Sequence, residues 1–271
     1  MSKFFTLAVA TLMFVSNVCL TSQSSNAQEE SQLGSAADDQ DEPKATDKPG
    51  QDKLEPETAK PKVPPGLDSY MGREIAQTMH YTGAEWLIRN EREREERCSL
   101  MLANLGVKPG MEICDMGCGN GFHTLQLAKM TGEQGLVVGV DVQPEMLGFL
   151  RDRMEEQGIE NVVPILGSYH NPHLPPDSID LVLLVDVYHE FSHPEQMLAA
   201  MRASLKPGGL IVLVEFRGED KSVPIKPLHK MTKEQVNSEL TANGFKLVSE
   251  FDKLPWQHMM FFGKDQTWSP K

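Results

Sequence analysis

The sequence predicts a doubly wound α/β fold: a mostly parallel seven-stranded sheet with an antiparallel C-terminal hairpin and an N-terminal helical extension. Three observations carry this expectation. Five short runs rich in Val, Ile and Leu recur between residues 111 and 216, the signature of strands buried on both faces. Between them lie segments with apolar residues at three- and four-residue spacing, which suit helices. The last two apolar runs are too close together for a crossover helix, so they must pair antiparallel.

Taken in order, "MEICD" (111–115) is the first strand, and a helix starts near Phe122 in "FHTLQLAKM". "GLVVGVD" (135–141), "NVVPILG" (161–167), "IDLVLLVDV" (179–187) and "LIVLVEF" (210–216) are the next four strands. The helix "PEMLGFLRDRMEEQG" follows the second strand, and "HPEQMLAAMRASLKPGG" precedes the fifth, with Gly208-Gly209 as its predicted stop. A further helix, "MTKEQVNSELTANGF", takes Thr232 as N-cap and Gly244 as stop. "KLVSEFDKL" (246–254) and "HMMFFGKD" (258–265), separated by Pro255-Trp256-Gln257, form the hairpin.

Composition divides the 271 residues into three parts. Residues 1–27 join Lys3 to a nearly unbroken apolar stretch that ends at Ser25-Asn26-Ala27, the pattern of a secretory signal cut before Gln28. A retained membrane anchor is the alternative. Residues 28–66 hold ten acids and five bases with hardly an aliphatic side chain, which predicts a disordered linker. Residues 67–271 are the folded domain, with a helical cap over 67–105. Cleavage makes the chain an exported protein, periplasmic or extracellular, with no stable membrane insertion.

The formal charge of −13 disfavours nucleic acid as a partner, since phosphate binding needs a cationic surface. Loss of Cys19 with the signal leaves Cys98, Cys114 and Cys118, an odd number with no CxxC spacing, so neither a disulfide framework nor a zinc site is expected. No cluster of metal-ligand residues is visible along the chain, and nothing in it sets an oligomeric state.

"EICDMGCGNG" carries the chemistry: Asp115 ends the first strand, and Gly117, Gly119 and Gly121 form the turn before the helix. Backbone amides at such a turn face a ligand. The spacing is G-x-G-x-G, not the G-x-G-x-x-G of dinucleotide enzymes.

With this motif the sequence resembles the class I S-adenosylmethionine-dependent methyltransferases. "VGVDVQPEML" is similar to their second strand and its ribose-binding acid. "SIDLVLLVDVYHEF" is similar to the fourth-strand motif, and "LKPGGLIVLVEF" to the turn into the fifth. The resemblance spans about residues 100–265. It implies that the loop Gly117, Cys118, Gly119, Asn120 and Gly121 wraps the methionine end of the cofactor, with backbone too close for side chains. Asp115 would face the ammonium, and Asp141, beside Val142, would accept the ribose hydroxyls. Many relatives hold adenine with an acid after the third strand; here Ser168 can bond the adenine edge instead and Tyr169 can stack on it. Asp186 also lies in the cofactor region.

Methyl transfer needs an acceptor held in line and, where protonated, a base. Tyr188, His189 and Glu190, after the fourth strand, are the catalytic candidates: His189 as base, Glu190 as its orienter or substitute. The alternative is that His189 and Glu190 anchor the next helix. Over 67–100 the sequence reads as mostly helical, with Arg92–Glu96 and Glu93–Arg97 on a solvated face. Tyr70, Tyr81 and Trp86 form a lid over the acceptor or pack on the sheet. The function expected is methyl transfer to a small molecule. A non-catalytic exported cofactor-binding or scaffold protein is the alternative, and a nicotinamide oxidoreductase a distant third.

Overall fold

A computed structural model describes residues 63–269. The expected leader (1–27) and nearly all of the expected linker (28–66) lie outside the described residues. The described chain runs β1 (Ser69–Tyr70), β2 (Arg73–Glu74), a 3-10 helix (Tyr81–Ile88), α1 (Arg92–Glu96), α2 (Cys98–Ala103), β3 (Glu112–Met116) and α3 (Thr124–Thr131). It continues with β4 (Leu136–Asp141), α4 (Pro144–Gln157), β5 (Val162–Leu166), β6 (Ile179–Val185), a 3-10 turn (Tyr188–Glu190) and α5 (Pro194–Ser204). β7 (Leu205–Phe216), a 3-10 turn (Pro227–His229), α6 (Lys233–Ala242), β8 (Phe245–Phe251) and β9 (Gln257–Lys264) complete it.

β3 to β9 form one seven-stranded sheet in the order β5-β4-β3-β6-β7-β9-β8. β3 pairs parallel with β4 on one side and β6 on the other, so the winding direction reverses at β3. The crevice beyond the carboxyl ends of β3 and β6 is where open α/β sheets bind ligands. β9 inserts antiparallel between β7 and β8, the hairpin expected from the short 255–257 connection. Thr232 caps α6 by accepting from Gln235 N at 3.1 Å, also as expected.

Alternating side chains of the buried strands feed two cores. Cys114 and Met116 pack on one face with Leu198 and Met201 of α5 and Leu240 of α6. Ile113 packs on the other with Leu125 of α3 and Leu147 and Leu150 of α4. Full burial of such an aliphatic side chain contributes roughly 1.5–3 kcal/mol.

Two expectations change. α5 stops at Ser204, and the Lys206-Pro207-Gly208-Gly209 turn belongs to β7. Between the pairs Ile179↔Leu205 and Leu181↔Leu210 the register slips, because β7 carries extra residues and bulges there. Nor is the stretch from 67 helical throughout: β1 and β2 make a small hairpin whose turn uses left-handed Met71 and Gly72, and helix begins only at Tyr81.

That N-terminal segment is fastened across the carboxyl ends of the sheet. The Arg73 guanidinium donates to both oxygens of Glu239 on α6, at 2.7 and 3.2 Å, and to the His189 carbonyl at 2.9 Å. Met79 O accepts from Gln143 Nε2 and Tyr81 N donates to Gln143 Oε1. Asn120 Nδ2 reaches the Ala84 carbonyl at 3.0 Å. A segment with little core of its own is thereby held as one wall of the crevice.

Candidate active site

A cavity of about 450 Å³ opens at the carboxyl ends of β3, β4 and β6, within the usual range for small-molecule sites. Its walls come from the glycine turn, the loops after β4, β5 and β6, the 224–229 loop and the N-terminal segment.

Asp141 ends β4 at the cavity wall. Its Oδ2 accepts from Gly119 N and its Oδ1 from Gln143 N, both at 2.9 Å. Burial raises its pKa, while those two backbone donors work against the rise. A carboxylate has about four acceptor sites, so Asp141 can still bind two hydroxyls. Val142, Gly117, Gly119, Ser168 and Tyr169 also line the cavity. The Ser168 hydroxyl accepts from Asn171 N at 3.1 Å, and Tyr169 is half exposed.

Asp186, just past β6, has left-handed backbone at φ +54°, a conformation that Asp tolerates better than most residues. Its Oδ2 accepts from Gln257 Nε2 at 2.7 Å, while its buried Oδ1 has no partner. Burial pushes its pKa well up, the carboxylates of Glu96 and Glu215 add to this, and Arg92 opposes it. Asp186 lines the cavity, with the orphan oxygen itself closed to solvent.

Four residues assigned to the cofactor do not line this cavity. Asp115 is buried, and its carboxylate accepts from Thr124 Oγ1 at 2.6 Å; burial lifts its pKa to about 6. Cys118 is buried beneath the turn, and Asn120 is spent on Ala84 and Arg153. The glycine turn is also tight for a reason other than the one expected. At Gly117, φ +68°, an added Cβ would lie 2.3 Å from Val187 Cγ2, and at Gly121, φ +81°, 2.3 Å from Leu150 Cδ1. Protein side chains, not ligand, fill the space in those two places.

The acceptor-side candidates also divide. Tyr188 is fully buried, and its hydroxyl donates to Glu239 Oε2 at 2.8 Å, away from the cavity. It is a core residue, so its catalytic assignment is withdrawn. His189 and Glu190 do line the cavity. His189 Nδ1 lies 2.7 Å from Glu215 Oε2, so Glu215 on β7, not Glu190, orients the ring. Burial disfavours the imidazolium, but Glu215 outweighs this and the pKa of His189 rises. Glu190 Oε1 accepts from Met79 N at 3.2 Å, and burial pushes its pKa up to about 7.

Several residues at the site escaped sequence reasoning. His229 Nδ1 lies 3.1 Å from His189 Nε2. Burial, with His189 and Lys226 nearby, lowers its pKa. Arg92 and Glu96, expected on a solvated face, are buried and joined at 2.8 Å; Arg92 lines the cavity. Trp86, by contrast, is one of the three aromatic residues that the sequence offers as a lid or as packing, and it does line the cavity, with the Arg89 guanidinium 3.7 Å from its ring centre. Tyr70 instead accepts from Asn243, and neither it nor Tyr81 is a lining residue.

The chain is 33% identical over 129 residues to a ubiquinone/menaquinone biosynthesis C-methyltransferase of Cupriavidus pinatubonensis, covering 48% of this chain and 51% of that protein. It is 31% identical over 128 residues to the protein of the same name from Vibrio parahaemolyticus, covering 46% and 48%. The chain thus spans about half the length of the curated relatives it matches. The crystal structure of a SAM dependent methyltransferase from Aquifex aeolicus shares the fold, with TM-score 0.65 and 23% identity over 68% of this chain and 98% of that one. Residues 107–263, more than half of the chain, match the family model described as a methyltransferase domain, and the chain belongs to that family.

Proposed function

We propose that this protein transfers a methyl group from S-adenosylmethionine to a small-molecule acceptor bound in the same cavity. The observation that carries the reading is a pair of carboxylates on one cavity at the switch point of the sheet: buried Asp141, held by two backbone amides, and half-buried Asp186, with an unpartnered oxygen. When bound, the cofactor supplies an electrophilic methyl group on a sulfonium.

Asp141 holds the ribose hydroxyls, with Gly119 N fixing its carboxylate. Asp186 holds the ammonium, the role that the family resemblance implies for Asp115, and Gln257 keeps its second oxygen in place. Ser168 and Tyr169 stand where the adenine would lie. Trp86, Leu87 and Arg92 of the N-terminal segment exclude water from the reacting end. Glu215 occupies His189 Nδ1 and fixes the tautomer, which leaves Nε2, 3.1 Å from His229 Nδ1, as the nitrogen that takes the acceptor's proton.

The expected leader extends the proposal to export, and N-terminal mass spectrometry of protein from its native host would then find Gln28 first; an intact Met1 would sink that part. Catalysis is tested by incubating the enzyme with S-adenosylmethionine and a panel of phenols, thiols, amines and quinols, and measuring S-adenosylhomocysteine release. Quinols belong in the panel because the curated relatives are named for quinone biosynthesis. Tight cofactor binding without turnover on any acceptor would favour a non-catalytic binding protein.

A further inference from the structure

Three groups at one end of the cavity converge in a way that proton removal by His189 does not require. A ring nitrogen of His189, a ring nitrogen of His229 and a carboxylate oxygen of Glu190 lie within 4.8 Å of one another. All three residues line the cavity. His189 Nε2 and His229 Nδ1 are 3.1 Å apart. Two nitrogens bound tetrahedrally to one zinc ion at about 2.0–2.1 Å stand about 3.3 Å apart. The spacing therefore suits a shared ion as well as it suits a hydrogen bond.

The surroundings match a metal centre in a second respect. A ligating histidine usually donates its other N–H to a carboxylate, which fixes the ring and strengthens the ligand. His189 has that partner in Glu215, at 2.7 Å and shielded from solvent. Glu190 is oriented too, through Met79 N. The carboxylates of Glu190 and Glu215 offset the charge of a divalent ion. Lys226 is the cation on this wall, and Arg73 turns its guanidinium to the His189 carbonyl and Glu239.

We propose that His189, Glu190 and His229 bind a divalent first-row ion of the zinc class, with its remaining coordination positions open to the cavity. Two imidazoles and one carboxylate are a common ligand set of catalytic zinc, which leaves a position for water or substrate. The ion takes the Nε2 lone pair that would otherwise receive the acceptor's proton. An acceptor oxygen or sulfur coordinated there has a lowered pKa and releases its proton to solvent as it binds the ion, so the ion replaces the base as the means of activation. Metal binding itself stands on these three side chains and not on methyl transfer.

The test uses the full chain, stripped with chelator and dialysed, then titrated with Zn2+ by calorimetry and with Co2+ by visible absorption. One ion per chain is expected, with at least tenfold weaker binding in His229→Ala and in Glu190→Gln. His170→Ala, at a half-buried histidine outside the cluster, should bind like the parent. Thermal melting in the absence of metal establishes that each variant is folded. No binding, or binding equally strong in both cluster variants, would overturn the proposal. If metal binds as expected and no acceptor is methylated, the site stands and the catalytic reading falls.

Discussion

Glu215 Oε2 sits 2.7 Å from His189 Nδ1, and both side chains are closed to solvent. The same carboxylate accepts from Tyr188 N through Oε1 at 3.0 Å, so β7 fixes the backbone and the ring of the 188–190 turn together. Glu215→Gln keeps the size of the side chain but removes the charge that holds the His189 tautomer. Turnover should fall about 10–100-fold, as for other residues that orient a functional histidine, with cofactor affinity unchanged. Steady-state kinetics beside calorimetry would show it; an unchanged kcat would remove Glu215 from the mechanism.

Tyr188 gives the opposite expectation. Its hydroxyl serves Glu239, which Arg73 also holds, and it faces the core. Tyr188→Phe should leave kcat as it was and lower stability by about 1.5–3 kcal/mol, the range for a hydrogen bond to a charged group. Urea unfolding measures the loss. A large fall in turnover at unchanged stability would restore Tyr188 as catalytic.

Asp115 makes stability depend on pH. Burial raises its pKa from 3.8 to about 6 in the folded protein, so between these values the folded state binds more protons than the unfolded one. Its contribution to stability therefore declines as pH rises from about 4 to 6 and stays lower above that, by on the order of 2–3 kcal/mol. Asp115→Asn can still accept from Thr124 but does not titrate. Measured by urea midpoints, its stability relative to the parent should rise from pH 4 to pH 7. A difference that is constant over this range would contradict the buried, ionisable placement.

The sheet was legible because strands buried on both faces are apolar throughout, and the G-x-G-x-G turn with Asp141 one strand later marks the switch point. Other features depend on distance through space. Arg92 and Glu96 have the same four-residue spacing whether solvated or buried, and only the packing of Leu87 and His123 around Arg92 decides. Glu215 reads as one more residue of an apolar strand, and His229 lies forty positions from His189, so no local pattern joins them. Lys206 to Gly209 misled for another reason: a helix stop and a strand bulge both favour glycine.

The central claim is that the cavity at the switch point holds S-adenosylmethionine through Asp141 and Asp186. Calorimetric titration with S-adenosylhomocysteine tests it directly in the parent, in Asp141→Ala and in Asp186→Asn, which preserves a side chain tolerant of the left-handed backbone. The prediction is one molecule bound per chain, with each substitution weakening it by roughly 1.5–3 kcal/mol, the range for hydrogen bonds to charged groups. Absence of binding in the parent, or equal affinity in all three proteins, would contradict the assignment.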